Sequence, residues 1–307
     1  MRNKTLYVIG NGFDQHHNLK SSYCEYHKYV CKNSPDIEEF LNQYFIFKCE
    51  QSREDGAYWW TDFESDLASF DAQQFYSDHD NVSEGFMDQE YPQWSDYFGV
   101  LDEVIEETEK YILEIKESFQ DWIDQLSQTE ITQRNMHFDE NAIFLSFNYT
   151  PTLEKVYHIP NVFHIHGYVG DYKDELIFGH GLEKSKGEIL EVNKNGENNR
   201  TPSFDAEAAS HSIFYQLQKP VKDIIDRNQS FFDSLKCIEK VVVLGHSLND
   251  IDMPYIYKIK DSILNGSSWI IVYYNSDDQE RAKTVMKKIG LSLEQYELLS
   301  WTDYEKS

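Results

Sequence analysis

The stretch Thr5-Leu6-Tyr7-Val8-Ile9-Gly10-Asn11-Gly12-Phe13-Asp14 decides the fold. Its first five residues are β-branched, aromatic or aliphatic in a nearly continuous run. A strand buried on both faces reads this way, because neither face needs polar residues. Gly10-Asn11-Gly12 follows at once, and helix-compatible residues follow the turn. Strand, glycine turn and helix, in that order, open a nucleotide-binding α/β unit. Gly10 and Gly12 would let the backbone approach a phosphate closely, with N–H groups aimed at it. The same turn also closes ordinary strand–helix units, so taken alone it leaves both readings open.

Short apolar runs return after residue 140. Ala142–Leu145, Val162–Ile165, Leu176–Phe178, Val241–Leu244 and Trp269–Tyr273 are candidate strands. Met253–Leu264, between the last two, has the length of a crossover helix, which predicts a parallel pair with a right-handed connection. The expected fold is therefore α/β: a Rossmann-like, mostly parallel sheet formed by residues 1–35 and 140–307, carrying an inserted acidic helical subdomain at 36–139. Within the insertion, Leu101, Val104, Ile105, Tyr111, Ile112, Ile115, Phe119, Trp122, Ile123 and Leu126 recur mostly at three- and four-residue steps. They form one apolar stripe on a long amphipathic helix over Val100–Gln128. Glu103, Glu106, Glu107, Glu109, Glu114, Glu117 and Asp121 occupy its remaining surface, the pattern of a solvated face. Asp78–Gln93 reads as a loop, and Lys184–Pro202 as a mobile surface loop.

Composition limits the function classes. The 307 residues carry 54 Asp+Glu against 28 Lys+Arg, a formal net charge of -26. A stable nucleic-acid binder needs a basic face to displace phosphate counterions, and a peripheral membrane protein needs one for anionic headgroups, so neither partner is expected. A small anionic ligand remains compatible, because local backbone N–H groups can hold phosphate inside an acidic protein. The apolar run Leu6–Ile9 is too short for a signal-peptide core, and no stretch approaches a membrane span. Cys24, Cys31, Cys49 and Cys237 form no C-x-x-C, and their spacing suggests neither a zinc site nor a disulfide framework. The reading is a cytoplasmic protein with reduced thiols.

Five polar clusters carry candidate chemistry, four of them at strand ends, where open parallel sheets bind ligands. The first is Gly10, Asn11, Gly12, Phe13 and Asp14. In the second, Ser146-Phe147-Asn148-Tyr149-Thr150, Thr150 before Pro151 looks like a helix cap, which leaves Asn148 for a ligand or a water. In the third, Phe163-His164-Ile165-His166-Gly167, strand alternation puts both histidines on one face. Together with His180 they could hold a metal, but His164 reads better as packed and hydrogen-bonded, and His166 as a proton-transfer group. The fourth is Gly245-His246-Ser247-Leu248 with Asp252. It lacks the second glycine of a hydrolase elbow, since Asn249 stands there, so a nucleophilic Ser247 is disfavoured. Asp252 reads as a helix cap. The fifth is Trp59–Glu64, where Phe63, Leu67 and Phe70 fit a buried stripe and Glu64 is either paired in the core or turned to a cleft.

These clusters together resemble the abortive-infection AbiH family of bacterial phage-defence proteins. The resemblance rests on Val8–Asp14, Trp60–Glu64 with Leu67, Leu145–Thr150 with Leu153-Glu154, His164–Gly167, Ile177–His180, and Gly245–Leu248 with Asp252. The same pieces are more distantly similar to the sirtuin-like NAD-consuming fold. That similarity implies a dinucleotide held by Gly10, Asn11, Gly12, Phe13, Asp14, Gly245, His246 and Ser247. It implies catalysis by Asn148 and His166, with Glu64, His180 and Asp252 as accessory candidates. Deacetylating sirtuins carry a four-cysteine zinc module that this chain lacks, so the resemblance implies NAD hydrolysis rather than protein deacetylation, with NAD as substrate and no metal.

The chemistry suits these residue types. Nicotinamide in NAD is cationic and leaves as a neutral ring, while the ribose becomes oxocarbenium-like as in glycoside cleavage. Asn148 would orient a water or the ribose, and His166 would accept a proton, a contribution of roughly 10²–10⁴-fold. A phage-derived trigger, a homo-oligomeric assembly and an inactive resting form are the expected context. The alternatives are a nucleotide-sensing binding module, a metal-dependent nuclease using His164, His166 and His180, and a structural adaptor.

Overall fold

The computed structural model describes residues 4–51, 57–79, 93–170, 175–183 and 202–306. The chain begins with β1 (Thr5–Ile9), α1 (Asn11–His16), α2 (Tyr23–Asn33), α3 (Pro35–Tyr44), β2 (Cys49–Gln51) and β3 (Tyr58–Trp60). It continues through α4 (Phe63–Asp66), α5 (Ala72–His79), α6 (Trp94–Ser127), β4 (Ile143–Ser146), α7 (Thr152–Tyr157), β5 (Phe163–His164), α8 (Pro202–Ser210) and α9 (Ser212–Gln216). It closes with α10 (Val221–Arg227), α11 (Gln229–Ser234), β6 (Lys240–Leu244), α12 (Met253–Ser262), β7 (Ser268–Tyr273), α13 (Ser276–Lys288), β8 (Tyr296–Ser300) and α14 (Trp301–Tyr304).

Six of the strands make one sheet in the order β5-β4-β1-β6-β7-β8, and every neighbouring pair is parallel. The fold is thus the α/β, Rossmann-like architecture that the opening stretch predicts. Alternation within β1 explains its continuous apolar sequence. Leu6 and Val8 enter one buried cluster with Val241, Val243, Ile256 and Ile259, while Tyr7 and Ile9 enter another with Val242, Leu244, Phe13 and Leu153. Each face of the strand is covered by helices, so neither face needs polar residues. The chain builds outward from β1 to β4 and β5 on one side, then returns to β6, β7 and β8 on the other. The strand order therefore reverses between β1 and β6, and the crevice outside their carboxyl ends is the ligand position such sheets offer.

Two compact units make up the chain. One comprises Met1–Glu25, Gln120–Ile177 and Pro220–Ser307, and contains the whole parallel sheet. The other comprises Tyr26–Phe119 and Phe178–Lys219. Its interior is aromatic: Tyr26, Trp60, Phe63, Phe75 and Phe119 are buried, and Phe119 meets Phe178 at 4.4 Å between ring centroids. Helix α6 buries Val104, Ile112, Ile115, Phe119, Trp122, Ile123 and Leu126, as its spacing predicts. Ile105, one position and about 100° round from Val104, is 38% exposed and lies off the stripe. Glu103, Glu106, Glu109, Glu117 and Asp121 face solvent.

Several local expectations are corrected. The strand expected over Val162–Ile165 contracts to Phe163–His164, because the chain turns at Ile165-His166. Leu176–Phe178 forms no strand; Ile177 N–H donates to the His166 carbonyl at 2.9 Å instead. The edge strand β8 escapes the sequence reading because Tyr296–Ser300 is half-buried and includes the exposed Glu297. Of the two expected loops, residues 80–92 and 184–201 lie outside the described residues, while Asp78 and His79 end α5 and Pro202 begins α8. The four cysteines form no disulfide. Among the described residues, no helix is long and apolar enough to cross a membrane.

Candidate functional site

The turns after β1 and β6 meet at the reversal point. Gly10 N–H donates to the Leu244 carbonyl at 3.0 Å, Gly12 N–H to the Gly245 carbonyl at 2.7 Å, and Phe13 N–H to the Gly10 carbonyl at 2.9 Å. A Cβ on Gly10 would lie 2.4 Å from His246 Cα. Gly245 has φ +65°, and a Cβ there would lie 2.1 Å from Phe13 N. Such contacts are impossible for any larger residue, so these glycines let two turns interlock, and the three N–H groups serve that junction. Asn11 Nδ2 donates to the Ser21 carbonyl at 2.7 Å, and Phe13 is fully buried. Ser247 is exposed on the second turn, where its carbonyl accepts from Arg281 Nη1 at 3.4 Å.

Beside this junction lies a buried polar cluster. Asp14 is 1% exposed, Asn148 6%, Thr150 3% and Thr152 2%. Thr150 Oγ1 donates to Asp14 Oδ2 and lies 3.2 Å from Thr152 Oγ1. Thr150 does not cap α7: the helix starts at Thr152 with Pro151 in the cap position, which leaves the Thr150 hydroxyl free to turn to Asp14. Burial raises the Asp14 carboxyl to about 6, against the opposing pull of Thr150, Thr152, Asn148 and the His164 charge. The backbone of Asn148 is fixed at both ends, its N–H by Ser146 Oγ at 3.1 Å and its carbonyl by His164 Nδ1 at 2.9 Å. Its side-chain Oδ1 is buried without a hydrogen-bond partner among the described residues, and so is Asp14 Oδ1. Buried oxygens of this kind are rare in folded proteins unless something else supplies the donor.

A second cluster forms around Phe147. Its ring meets those of His246 at 4.4 Å, Tyr255 at 5.4 Å and His166 at 5.5 Å, each nearly edge-on. His166 is 2% exposed, and its Nε2 lies 3.2 Å from the Tyr255 hydroxyl on α12. His246 Nδ1 accepts from Leu248 N–H at 2.9 Å, and Nε2 lies 3.5 Å from Asp252 Oδ2. The Asp252 side chain makes no cap hydrogen bond at the start of α12, contrary to the helix-cap expectation, because it faces His246.

The two histidines of the third motif do not share a face, since β5 ends at His164 and alternation stops there. His164 Nδ1 bonds the Asn148 carbonyl, and Nε2 the Glu154 carboxylate at 2.8 Å. It is the packed, hydrogen-bonded residue that its sequence suggests. In the other unit, His180 Nε2 bonds the Phe214 carbonyl at 2.9 Å, and Nδ1 accepts from Leu182 N–H at 3.3 Å. The metal reading requires open ring nitrogens on these residues, and those of His164 and His180 are engaged. Glu64 is paired: its Oε2 lies 2.5 Å from Lys219 Nζ, with both side chains buried.

The structure thus places Gly10, Gly12, Phe13, Asp14, Asn148, His166, Gly245 and His246 in the sheet unit, and Glu64 and His180 in the other. Tyr255, Thr152 and Lys219 are missed by the sequence reading. Tyr255 sits on the buried face of an ordinary-looking crossover helix, where an aromatic residue carries no signal of a polar role. The model of the family described as bacteriophage abortive infection AbiH matches residues 6–274, a span that includes every motif above. No curated protein matches the chain. The chain belongs to the bacteriophage abortive infection AbiH family.

Proposed function

We propose that this chain is a phage-defence effector that binds NAD or a related nucleotide at the carboxyl edge of β1, β4 and β6, and cleaves its N-glycosidic bond using Asn148 and His166. The observation that carries the reading is the bare, buried Oδ1 of Asn148 beside the bare Oδ1 of Asp14. Two fixed acceptors without donors fit a ligand rich in hydroxyl groups, such as a ribose. In the proposed reaction a water attacks the ribose C1′. The glycosidic electron pair passes to the nicotinamide ring, and His166 takes the water's proton. Asn148 orients the water or the ribose, and Tyr255 holds the His166 ring through the 3.2 Å contact. The products are nicotinamide and ADP-ribose.

The pKa of Asp14 adds a pH dependence. Below about 6 its carboxyl is protonated, and with Oδ2 held by the Thr150 hydroxyl the proton falls on the bare Oδ1, which ceases to be a full acceptor. NAD loss should therefore fall as pH drops through about 6, and Asp14→Asn should remove that inflection. The reading is tested by incubating activated protein with NAD and weighing the products. His166→Ala and Asn148→Ala should each abolish turnover while keeping the wild-type circular dichroism spectrum. Full turnover by both variants would falsify the mechanism. A nucleotide-sensing module is supported by the burial of His166, which leaves little room for proton exchange with solvent. A rise in melting temperature with ADP-ribose, without turnover of NAD under activating conditions, would favour it.

A further inference from the structure

We infer that His27, Cys31 and Glu38 form a binding site for a borderline-soft divalent cation, with zinc the best match. His27 and Cys31 lie four residues apart on α2, and so on one face of the helix. Helix α3 begins two residues after α2 ends and brings Glu38 back beside them. One nitrogen, one sulfur and one carboxylate oxygen lie within 4.8 Å of one another.

His27 supplies the second, independent observation. It is 7% exposed, and both ring nitrogens are buried without a hydrogen-bond partner among the described residues. Histidine offers two polar atoms, and burying both unpaired is costly unless a ligand completes one of them. The ring is held rigidly, stacked on Trp60 at 4.0 Å and 7° and flanked edge-on by Trp59 at 5.3 Å. Burial lowers its pKa to about 4, so it is neutral at pH 7, the form that coordinates metal.

The other two groups complete the ligand set. Burial and the Glu38 charge raise the Cys31 thiol, a repulsion that a bound dication would reverse. Asn42 Nδ2 donates to Glu38 Oε1, leaving the other carboxylate oxygen for a cation. Cys31 is exposed and Glu38 half-buried, so an ion has an entry path. Bond lengths of 2.0–2.3 Å put ligands in a tetrahedral zinc site about 3.5 Å apart. Small rotations of the Cys31 and Glu38 side chains onto the fixed imidazole would achieve that contraction. A water would fill the fourth position, and the ion would clip α2 to α3.

The test uses the full chain, stripped with chelator and titrated with cobalt(II) and then zinc(II). One cobalt per chain should bind with a thiolate-to-cobalt charge-transfer absorption, and zinc should displace it. Zinc should also protect Cys31, but not Cys24, Cys49 or Cys237, from alkylation read by peptide mass. Cys31→Ser should abolish the charge-transfer band, and Glu38→Gln should weaken zinc binding by about tenfold or more. Both positions are accessible, so these variants decide the matter even if His27→Gln proves unstable. Cobalt bound without a thiolate band, zinc affinity unchanged in Cys31→Ser, or alkylation of Cys31 unaffected by zinc would each overturn the site.

Discussion

Asp14 couples the stability of the molecule to its proposed chemistry. Its carboxyl titrates near 6 in the folded chain and near its ordinary value in the unfolded one. The folded state therefore holds a proton that the unfolded state releases across that interval. This stabilisation is complete below about pH 4 and lost as pH rises through about 6, a decline on the order of 2–3 kcal/mol. Asp14→Asn cannot ionise, so denaturant titrations from pH 4 to 7 should show the wild type losing stability relative to the variant. Parallel curves would mean that Asp14 titrates normally. Asn148 and His166 were legible as polar residues at strand ends, where a parallel sheet presents its ligand site. The Asp14–Thr150 bond was not, because its partners are 136 residues apart and Thr150 satisfied a local cap pattern. Asp252 misled in the same way: local capping chemistry described its type, while His246 across the turn determined its direction. Short-range grammar names the residues of a site, and only the sheet decides which of them meet.

At the scale of elements, the junction of the β1 and β6 turns fixes where those residues meet. Gly245 combines a positive φ with a backbone atom 2.1 Å from any added Cβ. Gly266 has φ +85° but nothing within 4 Å. Gly266→Ala should therefore cost about 1–2 kcal/mol, the left-handed penalty alone. Gly245→Ala should cost roughly 3 kcal/mol or more, because the two turns must also separate. Equal costs in urea unfolding would show that the turns do not interlock. Elements buried on both faces, β1, β6 and β7, were the readable ones, since burial leaves a continuous apolar run. The two sheet edges were harder. β5 is two residues long and β8 is half-exposed, so neither carries a distinctive period. The 34-residue α6 was readable from its stripe alone, because a long helix repeats its signal many times.

Over the whole molecule, the net charge of -26 sets the solution behaviour without describing the site. Much of the acid lies on solvated helix faces such as that of α6, where Glu103, Glu106, Glu109 and Glu117 repel one another. Screening relieves self-repulsion, so the melting temperature should rise between low and physiological ionic strength. A flat or falling response would mean that paired charges dominate. The opposite salt response is expected of a nucleic-acid complex, which weakens as counterions compete. The acidity is compatible with the proposed nucleotide site because Asn148 and Asp14 are buried within the sheet unit, whereas acids such as Glu103 and Glu106 face solvent. This buried pair, together with His166, is proposed to serve N-glycosidic cleavage. The most direct test of that role is to incubate purified protein with extract of phage-infected cells and NAD labelled in the nicotinamide ring, and to quantify labelled nicotinamide and ADP-ribose by mass. Equimolar release is expected from the wild type, and none above the extract background from folded Asn148→Ala or His166→Ala. Equal release by wild type and variants, or intact NAD while wild-type protein arrests infected cells, would contradict it.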